Sequence, residues 1–299
     1  MTDPSAGTRP YKLIAIDLDG TLLSPLGQVT PRTKAAVHRC LQHGLLICFA
    51  TGRHWAESRA VLEAIEHYAS AVFVGGAIVM DTEKRITLHR VAMDPDLARQ
   101  LSATIEDEGH AVLAAQDHDP AGCDYVLTDS IEPTLETDRW LTQARAVVRR
   151  VPRLGQFDHA HTIRVSFVAA ADELARVETI IADRFAERVF YHRIRIPGTR
   201  LELLETFDPS VNKWEGILQV ARRHEIRPEQ IIAIGDDLND LHMIREAGLG
   251  VAMGNARDEV KAIAHRVIGT NEDDGLAVFL EELLESHQVE AAASDEAAA

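Results

Sequence analysis

The sequence predicts an α/β fold, a parallel sheet with helices on its faces, into which a separate α+β unit is inserted. Three observations carry this reading. From Ile14 to Met80, apolar runs and helical patterns alternate strand, helix, strand, helix, strand, the order that yields parallel pairing with right-handed crossovers. From about Met93 to Thr199 the pattern changes to paired strands accompanied by helices. The earlier pattern then resumes, and a second buried run, QIIAIGDD, again ends in acids. The expected limits are 11–92 and 200–284 for the core and 93–199 for the insertion, with 1–10 and 285–299 as flexible tails.

Taken in order, IAIDLDGTLL (14–23) is an apolar strand that ends on Asp17 and Asp19 and breaks at Gly20. Ligands bind at the carboxyl ends of strands in an open parallel sheet. Two neighbouring carboxylates repel unless a proton or cation separates them, and a hard divalent ion such as Mg²⁺ suits them. A capped turn is the plainer alternative. Thr30 before Pro31 opens a helix over VTPRTKAAVHRCLQH, which Gly44 ends. LLICFAT is a buried strand, and TGRHWAESRAVLEAIEHY turns from it into a helix, so Thr51, Gly52 and Arg53 occupy a second strand end. AVFVGGAIVM reads as a third strand and TEKRITLHRV as a hairpin or connecting ribbon.

Within the insertion, DPDLARQLSATIEDEG and ADELARVETIIADRFAE are amphipathic helices, while HAVLAA, DYVLTDS, TIRVSFVA and RVFYHRI are strands. LELLETF, read as the first strand after it, leads to a helix beginning near Lys213. Gly235 precedes Asp236 and Asp237 at the end of the next strand, and Asn239 and Asp240 enter the following helix. Asp236 is the better metal candidate and Asp237 the better helix cap. Asp17 with Asp19, Thr51, Lys213 and Asp236 thus fall at successive element ends. They supply what a phosphate site requires: nucleophile, hydroxyl donor, cation and metal ligand.

Composition bounds the function. Hydrophobic residues at 46% and charged residues at 26% are ordinary for a globular protein, and no run approaches a membrane span. The polar start MTDPSAGTRPYK does not read as a signal peptide, so a cytoplasmic location is expected. Cys40, Cys48 and Cys123 are odd in number and widely spaced, which predicts buried reduced thiols rather than disulfides or a thiolate metal site. A formal net charge of -16 argues against nucleic acid or an anionic membrane as partner. An anionic substrate would need a local positive site.

These residues resemble the haloacid dehalogenase-like superfamily, and within it the Cof-type branch with a class IIB cap. IAIDLDGTLL, FATGR, Lys213 and GDDLNDLHM look like its four motifs, and GVAMGNA followed by VKAIAHRVIGTNEDDG looks like its carboxyl-terminal signature. The resemblance implies a Rossmann-like core with an α+β cap inserted between the second and third motifs. It implies a Mg²⁺-dependent phosphatase acting on a small phosphorylated metabolite, with a sugar phosphate as the leading class. Asp17 would be the nucleophile and Asp19 the general acid/base. Thr51, Gly52 and Asn239 would contact phosphate, and Lys213 would neutralise it and orient Asp17. Asp17, the Asp19 carbonyl and Asp236 would hold the metal, with Asp240 supporting them. Gly75 stands where relatives commonly have Asn, and His265 where Asp is common.

Two rival functions stay open in the sequence: a phosphotransferase or phosphomutase on the same core, and a non-catalytic phosphometabolite-binding protein. Oligomeric state is left open. A second metal site at Asp117, His118 and Asp119 with Asp158, His159 and His161 is weighed and set aside, because polar-loop acids and histidines usually meet solvent. Arg53 and His54 could meet substrate or start a helix. Arg164, Arg193, Arg195 and Arg200 could face an anionic leaving group from the cap, but each is read first as a solvated charge.

Overall fold

The structure, a computed structural model, describes residues 11–66, 68–196 and 198–296; the expected amino-terminal tail, 1–10, lies outside these residues. The first part of the chain forms β1 (Leu13–Ile16), α1 (Pro31–Gln42), β2 (Leu46–Phe49), α2 (Trp55–Ala64), β3 (Ser70–Phe73), β4 (Ile78–Asp81) and β5 (Ile86–Arg90). The inserted unit contributes α3 (Pro95–Asp107), β6 (Leu113–Gln116), α4 (His118–Ala121), β7 (Tyr125–Thr128), α5 (Leu135–Ala144), β8 (Val148–Val151), β9 (Thr162–Ala170), α6 (Ala171–Phe185), β10 (Phe190–Arg195) and β11 (Leu201–Phe207). The chain closes with α7 (Lys213–Arg223), β12 (Ile231–Gly235), α8 (Leu241–Glu246), β13 (Leu249–Ala252), α9 (Asp258–Ile263), β14 (Arg266–Val267) and α10 (Gly275–Glu296).

The core sheet runs β14-β13-β12-β1-β2, all parallel. A parallel bridge from Ala50 to Val72 carries it on to β3. β1 and β12 are buried along their whole lengths, which is why their sequences are continuous apolar runs rather than alternating ones. From β1 the chain winds outward through β2 on one side and, later, from β12 through β13 and β14 on the other. The order therefore reverses at β1 and β12, which opens a crevice at their carboxyl ends. Thr30 caps α1 by accepting from the Thr33 amide, with Pro31 in the first turn, as its sequence predicts. Cys40, Cys48 and Cys123 are buried and free.

Two sequence expectations change. AVFVGGAIVM is not one strand: the chain folds back over Val74–Gly76, and β3 and β4 pair antiparallel, Phe73 opposite Ile78. LELLETF does not open the core. As β11 it lies between β9 and β10 in the cap sheet, antiparallel to both, which moves the boundary expected at 200 to about Asp208. α10 runs on to Glu296, through most of the stretch expected as a carboxyl-terminal tail, and the Ala and Glu content there favours helix.

The cap sheet runs β10-β11-β9-β6-β7-β8. Its two faces do different work because strand side chains alternate. Ala114, Val126, Val165 and Phe167 pack beneath α3 and α6 with Leu101, Ile105, Val177 and Ile181. Leu113, Ala115, Tyr125, Leu127 and Ile163 join the apolar cluster of the core. The cap is thus seated on the core through a continuous apolar contact.

Candidate active site

Asp17 follows β1 directly, and its amide donates to the Ile234 carbonyl of β12 at 3.0 Å. A wide turn follows, in which the Leu22 and Leu23 amides donate to the Asp17 and Leu18 carbonyls at 3.2 and 2.9 Å. Gly20 makes the turn possible: its φ is +78°, and a Cβ there would lie 2.2 Å from Asp236 Oδ2. The two acidic strand ends are therefore in contact through a glycine. Thr21 Oγ1 donates to Asp236 Oδ1 at 3.2 Å.

Lys213, the first residue of α7, places its ammonium between two carboxylates, 2.6 Å from Asp17 Oδ1 and 2.7 Å from Asp240 Oδ1. It is 1% exposed, against 4% for Asp17 and 0% for Asp240. The other Asp240 oxygen accepts from the amides of Asp236 and Asp237 at 2.9 and 3.1 Å, so both its oxygens are engaged. Asp237 caps the next turn through the Leu238 amide at 2.8 Å, in accord with its sequence reading.

The electrostatics follow from burial. Burial drives the Asp17 carboxyl well above its usual range, Lys213 pulls it down, and the charges of Asp240 and Asp236 push it up again. Asp236 is pushed up to about 7, by burial first and then by Asp240, against the Thr21 hydrogen bond. For Lys213, burial alone would lower the pKa, but Asp17 and Asp240 outweigh it and keep the ammonium charged. One carboxylate oxygen from each of Asp17, Asp236 and Asp240 lies within 4.8 Å of the other two. This all-oxygen set fits a hard divalent cation, which would relieve the mutual repulsion.

The second strand end comes alongside. Thr51 is buried, its amide donates to the Val72 carbonyl at 2.9 Å, and its hydroxyl oxygen accepts from the Arg53 amide at 3.1 Å. Asn239 is exposed, with its Nδ2 3.7 Å from where a Cβ on Gly52 would stand. The Gly75 amide donates to the Thr51 carbonyl at 2.9 Å, so this position supports the loop by its backbone. Asp19 stands apart from the buried group, with its side chain 57% exposed, and Arg53 grips it with two bonds of 2.7 and 2.5 Å.

The haloacid dehalogenase-like hydrolase family matches residues 14–280. The chain belongs to that family. This hydrolase is 30% identical over 277 residues to 5-amino-6-(5-phospho-D-ribitylamino)uracil phosphatase YitU of Bacillus subtilis, covering 92% of this chain and 98% of the relative. A haloacid dehalogenase-like hydrolase from Bacteroides thetaiotaomicron shares its fold at a TM-score of 0.78 and 24% identity, covering 91% of this chain and 99% of the other. So does the subclass IIB sugar phosphatase BT4131, at 0.73 and 21%, covering 91% and 98%. The enzyme is a phosphomonoester hydrolase.

Several residues of this hydrolase carry more than their sequence suggested. Asn255, in GVAMGNA, donates to the Gly20 carbonyl at 2.8 Å and accepts from the Asn271 amide at 2.9 Å, while Asn271 reaches the Leu23 carbonyl at 2.7 Å. The carboxyl-terminal signature thus buttresses the Asp17 turn. Arg164, read as a solvated charge, is 2% exposed and faces the site from the cap. The cap acids and histidines set aside as a metal site are separately engaged: Asp117 with Thr87 and Arg90, His118 with Asp124, and His159 with Thr162 and the Leu154 carbonyl. Among the described residues, no helix is long and apolar enough to cross a membrane.

Proposed function

We propose that this enzyme is a Mg²⁺-dependent phosphatase that hydrolyses a small phosphorylated metabolite, a sugar phosphate being the leading class, through an aspartyl-phosphate on Asp17. The observation that carries the proposal is the buried Asp17–Lys213–Asp240 chain at the switch point, with Asp236 beside it. With Oδ1 held by Lys213, Oδ2 of Asp17 is the oxygen assigned to in-line attack on phosphorus. Asp19, entering the step as the protonated acid, gives its proton to the departing alkoxide and regains one from the water that hydrolyses the aspartyl-phosphate. The Thr51 hydroxyl, the Gly52 amide and Asn239 hold phosphoryl oxygens, and Lys213 balances their charge. Positioning and electrostatics of this kind carry most of phosphoryl-transfer catalysis.

Asp17, the Asp19 carbonyl and Asp236 are the groups assigned to the metal, and Asp240 supports them by orienting Lys213 and the Asp236 amide. Bound there, Mg²⁺ supplies charge neutralisation for the phosphoryl oxygens. The substrate class draws support from the relative YitU, whose named substrate carries its phosphate on a ribityl chain. Phosphate release from a panel of phosphomonoesters tests the proposal, with Mg²⁺, with EDTA, and with Asp17→Asn as the control. Metal-dependent turnover lost in Asp17→Asn is the expected result, with sugar phosphates ranking first. Turnover indifferent to EDTA, or retained in Asp17→Asn, would refute it.

A further inference from the structure

Arg164 lies in β9 of the cap, yet one of its contacts is the loop that carries Thr51. Its Nη1 sits 2.5 Å from Glu205 Oε1 of β11 and donates to the Gly52 carbonyl at 3.2 Å. Its Nη2 is 3.4 Å from the Tyr125 hydroxyl and 3.9 Å from Glu57 Oε1. The other Glu205 oxygen is 3.0 Å from His192 Nε2. Burial pushes Glu205 up, but Arg164 and then His192 outweigh it and keep the carboxylate charged. The Arg164 Nε is buried with no hydrogen-bond partner. A buried ion pair is weak evidence of stabilisation, and a buried N–H left unpaired adds a cost. What the guanidinium touches is the better account of why it is there.

The Gly52–Arg53 peptide is the point of contact. Its carbonyl accepts from Arg164, and its N–H, that of Arg53, donates to Thr51 Oγ1. With that lone pair occupied, the hydroxyl proton of Thr51 is left to donate elsewhere. The next group along the chain is the Arg53 side chain that grips Asp19. The tilt of one peptide plane therefore sets both a hydroxyl donor and the arginine that holds the exposed Asp19. Arg164 fixes that tilt from the cap side, supported by Glu205 and His192.

We infer that Arg164 is a positioning residue: docked on the Gly52 carbonyl, it aligns Thr51 and the Arg53–Asp19 pair for phosphoryl transfer when the cap is seated. The contact stands by itself, while the function of what it aligns rests on the phosphatase reading above.

The test uses the full chain with Arg164→Gln and Arg164→Lys. Three quantities are measured: kcat and KM on glucose 6-phosphate and on p-nitrophenyl phosphate, the calorimetric affinity for orthovanadate with Mg²⁺, and the thermal midpoint. Arg164→Gln is expected to lower kcat on both esters and orthovanadate affinity by roughly tenfold, the scale of one charge-assisted hydrogen bond. KM should stay within about threefold of wild type, since the lost interaction is made in the transition state. Arg164→Lys should recover part of the loss, because an ammonium can still reach a carbonyl. In an Arg53→Ala background, Arg164→Gln should have little further effect, since the two act through one peptide. A rise in KM with kcat unchanged would overturn the inference in favour of a substrate contact. A loss that follows only the unfolded fraction, with orthovanadate affinity per folded molecule unchanged, would overturn it in favour of a structural role. If wild type hydrolyses neither ester, the phosphatase reading fails alone, and the orthovanadate comparison still decides the role of Arg164.

Discussion

Lys213 shows how a single charge can hold two roles. It neutralises Asp17 and Asp240 at 2.6 and 2.7 Å in a setting closed to water, so its removal leaves two buried carboxylates facing each other. Taking one partner from a buried charge pair costs about 3–5 kcal/mol. Lys213→Met should therefore lower the unfolding free energy by an amount of that order, seen as a lower urea midpoint at unchanged m, and lower kcat by roughly 100- to 1,000-fold, as loss of a preorganised donor does. Equilibrium unfolding followed by kinetics on the folded fraction checks both; an unchanged midpoint would mean that the pair carries no stability. The position of Lys213 was legible because it opens a helix after a strand in a known motif order. Arg164 was not legible: sequence shows a cap arginine but not the Glu205 that draws it inside, which lies 41 residues away on another strand.

At the scale of the element, α2 begins with a histidine where a small polar cap is usual. His54 Nδ1 accepts from the Ala56 amide at 3.3 Å, while Glu57 reaches back to the His54 amide at 3.2 Å. Its Nε2 then donates to the Gln116 carbonyl of β6 at 3.0 Å, which fixes the neutral tautomer and ties the helix start to the cap. Burial pushes His54 down to about 4; Asp124 and the Gln116 carbonyl oppose this, and Arg164 and His118 add to it. Because the folded pKa lies below the unfolded value near 6.5, the unfolded chain binds more protons between them. The stability contributed by neutral His54 is complete above about pH 6.5 and is lost as pH falls toward 4, by up to roughly 3 kcal/mol. Urea midpoints at pH 7 and 4.5 should fall further apart in wild type than in His54→Asn; equal differences would remove His54 from the acid response. The helix start itself was legible from the turn before it. What eluded the sequence was pairing between elements: alternating apolar residues in LELLETF fit either sheet, and only long-range hydrogen bonds to β9 and β10 assign it to the cap. VGG inside AVFVGGAIVM is the signal that would have split that run into two strands.

For the whole molecule, the separation of chemistry from selection depends on where the cap ends. The groups assigned above as nucleophile, cation and metal ligands all come from the core, at the ends of β1 and β12 and the start of α7. The cap meets the core through Arg164 on the Gly52 carbonyl and through an apolar face that completes the core cluster. β11 belongs to this unit: it pairs with β10 from Phe207 to Glu202 and with β9 from Thr206 to Leu201. A chimaera that replaces 93–207 by the cap of another class IIB phosphatase therefore exchanges a whole sheet. One that replaces 93–199 leaves native β11 against two foreign strands. The first should unfold in a single transition, retain turnover of p-nitrophenyl phosphate, and shift its ranking of sugar phosphates toward that of the donor. The second should be insoluble or lose cooperative unfolding, because register along both neighbours of β11 is set by side chains it no longer meets. Solubility, the sharpness of the urea transition and the ester panel are the measurements. If the 93–207 chimaera keeps the original ranking, substrate choice lies in core residues such as Asn239 and Arg53, and the cap serves to seat Arg164 and exclude water.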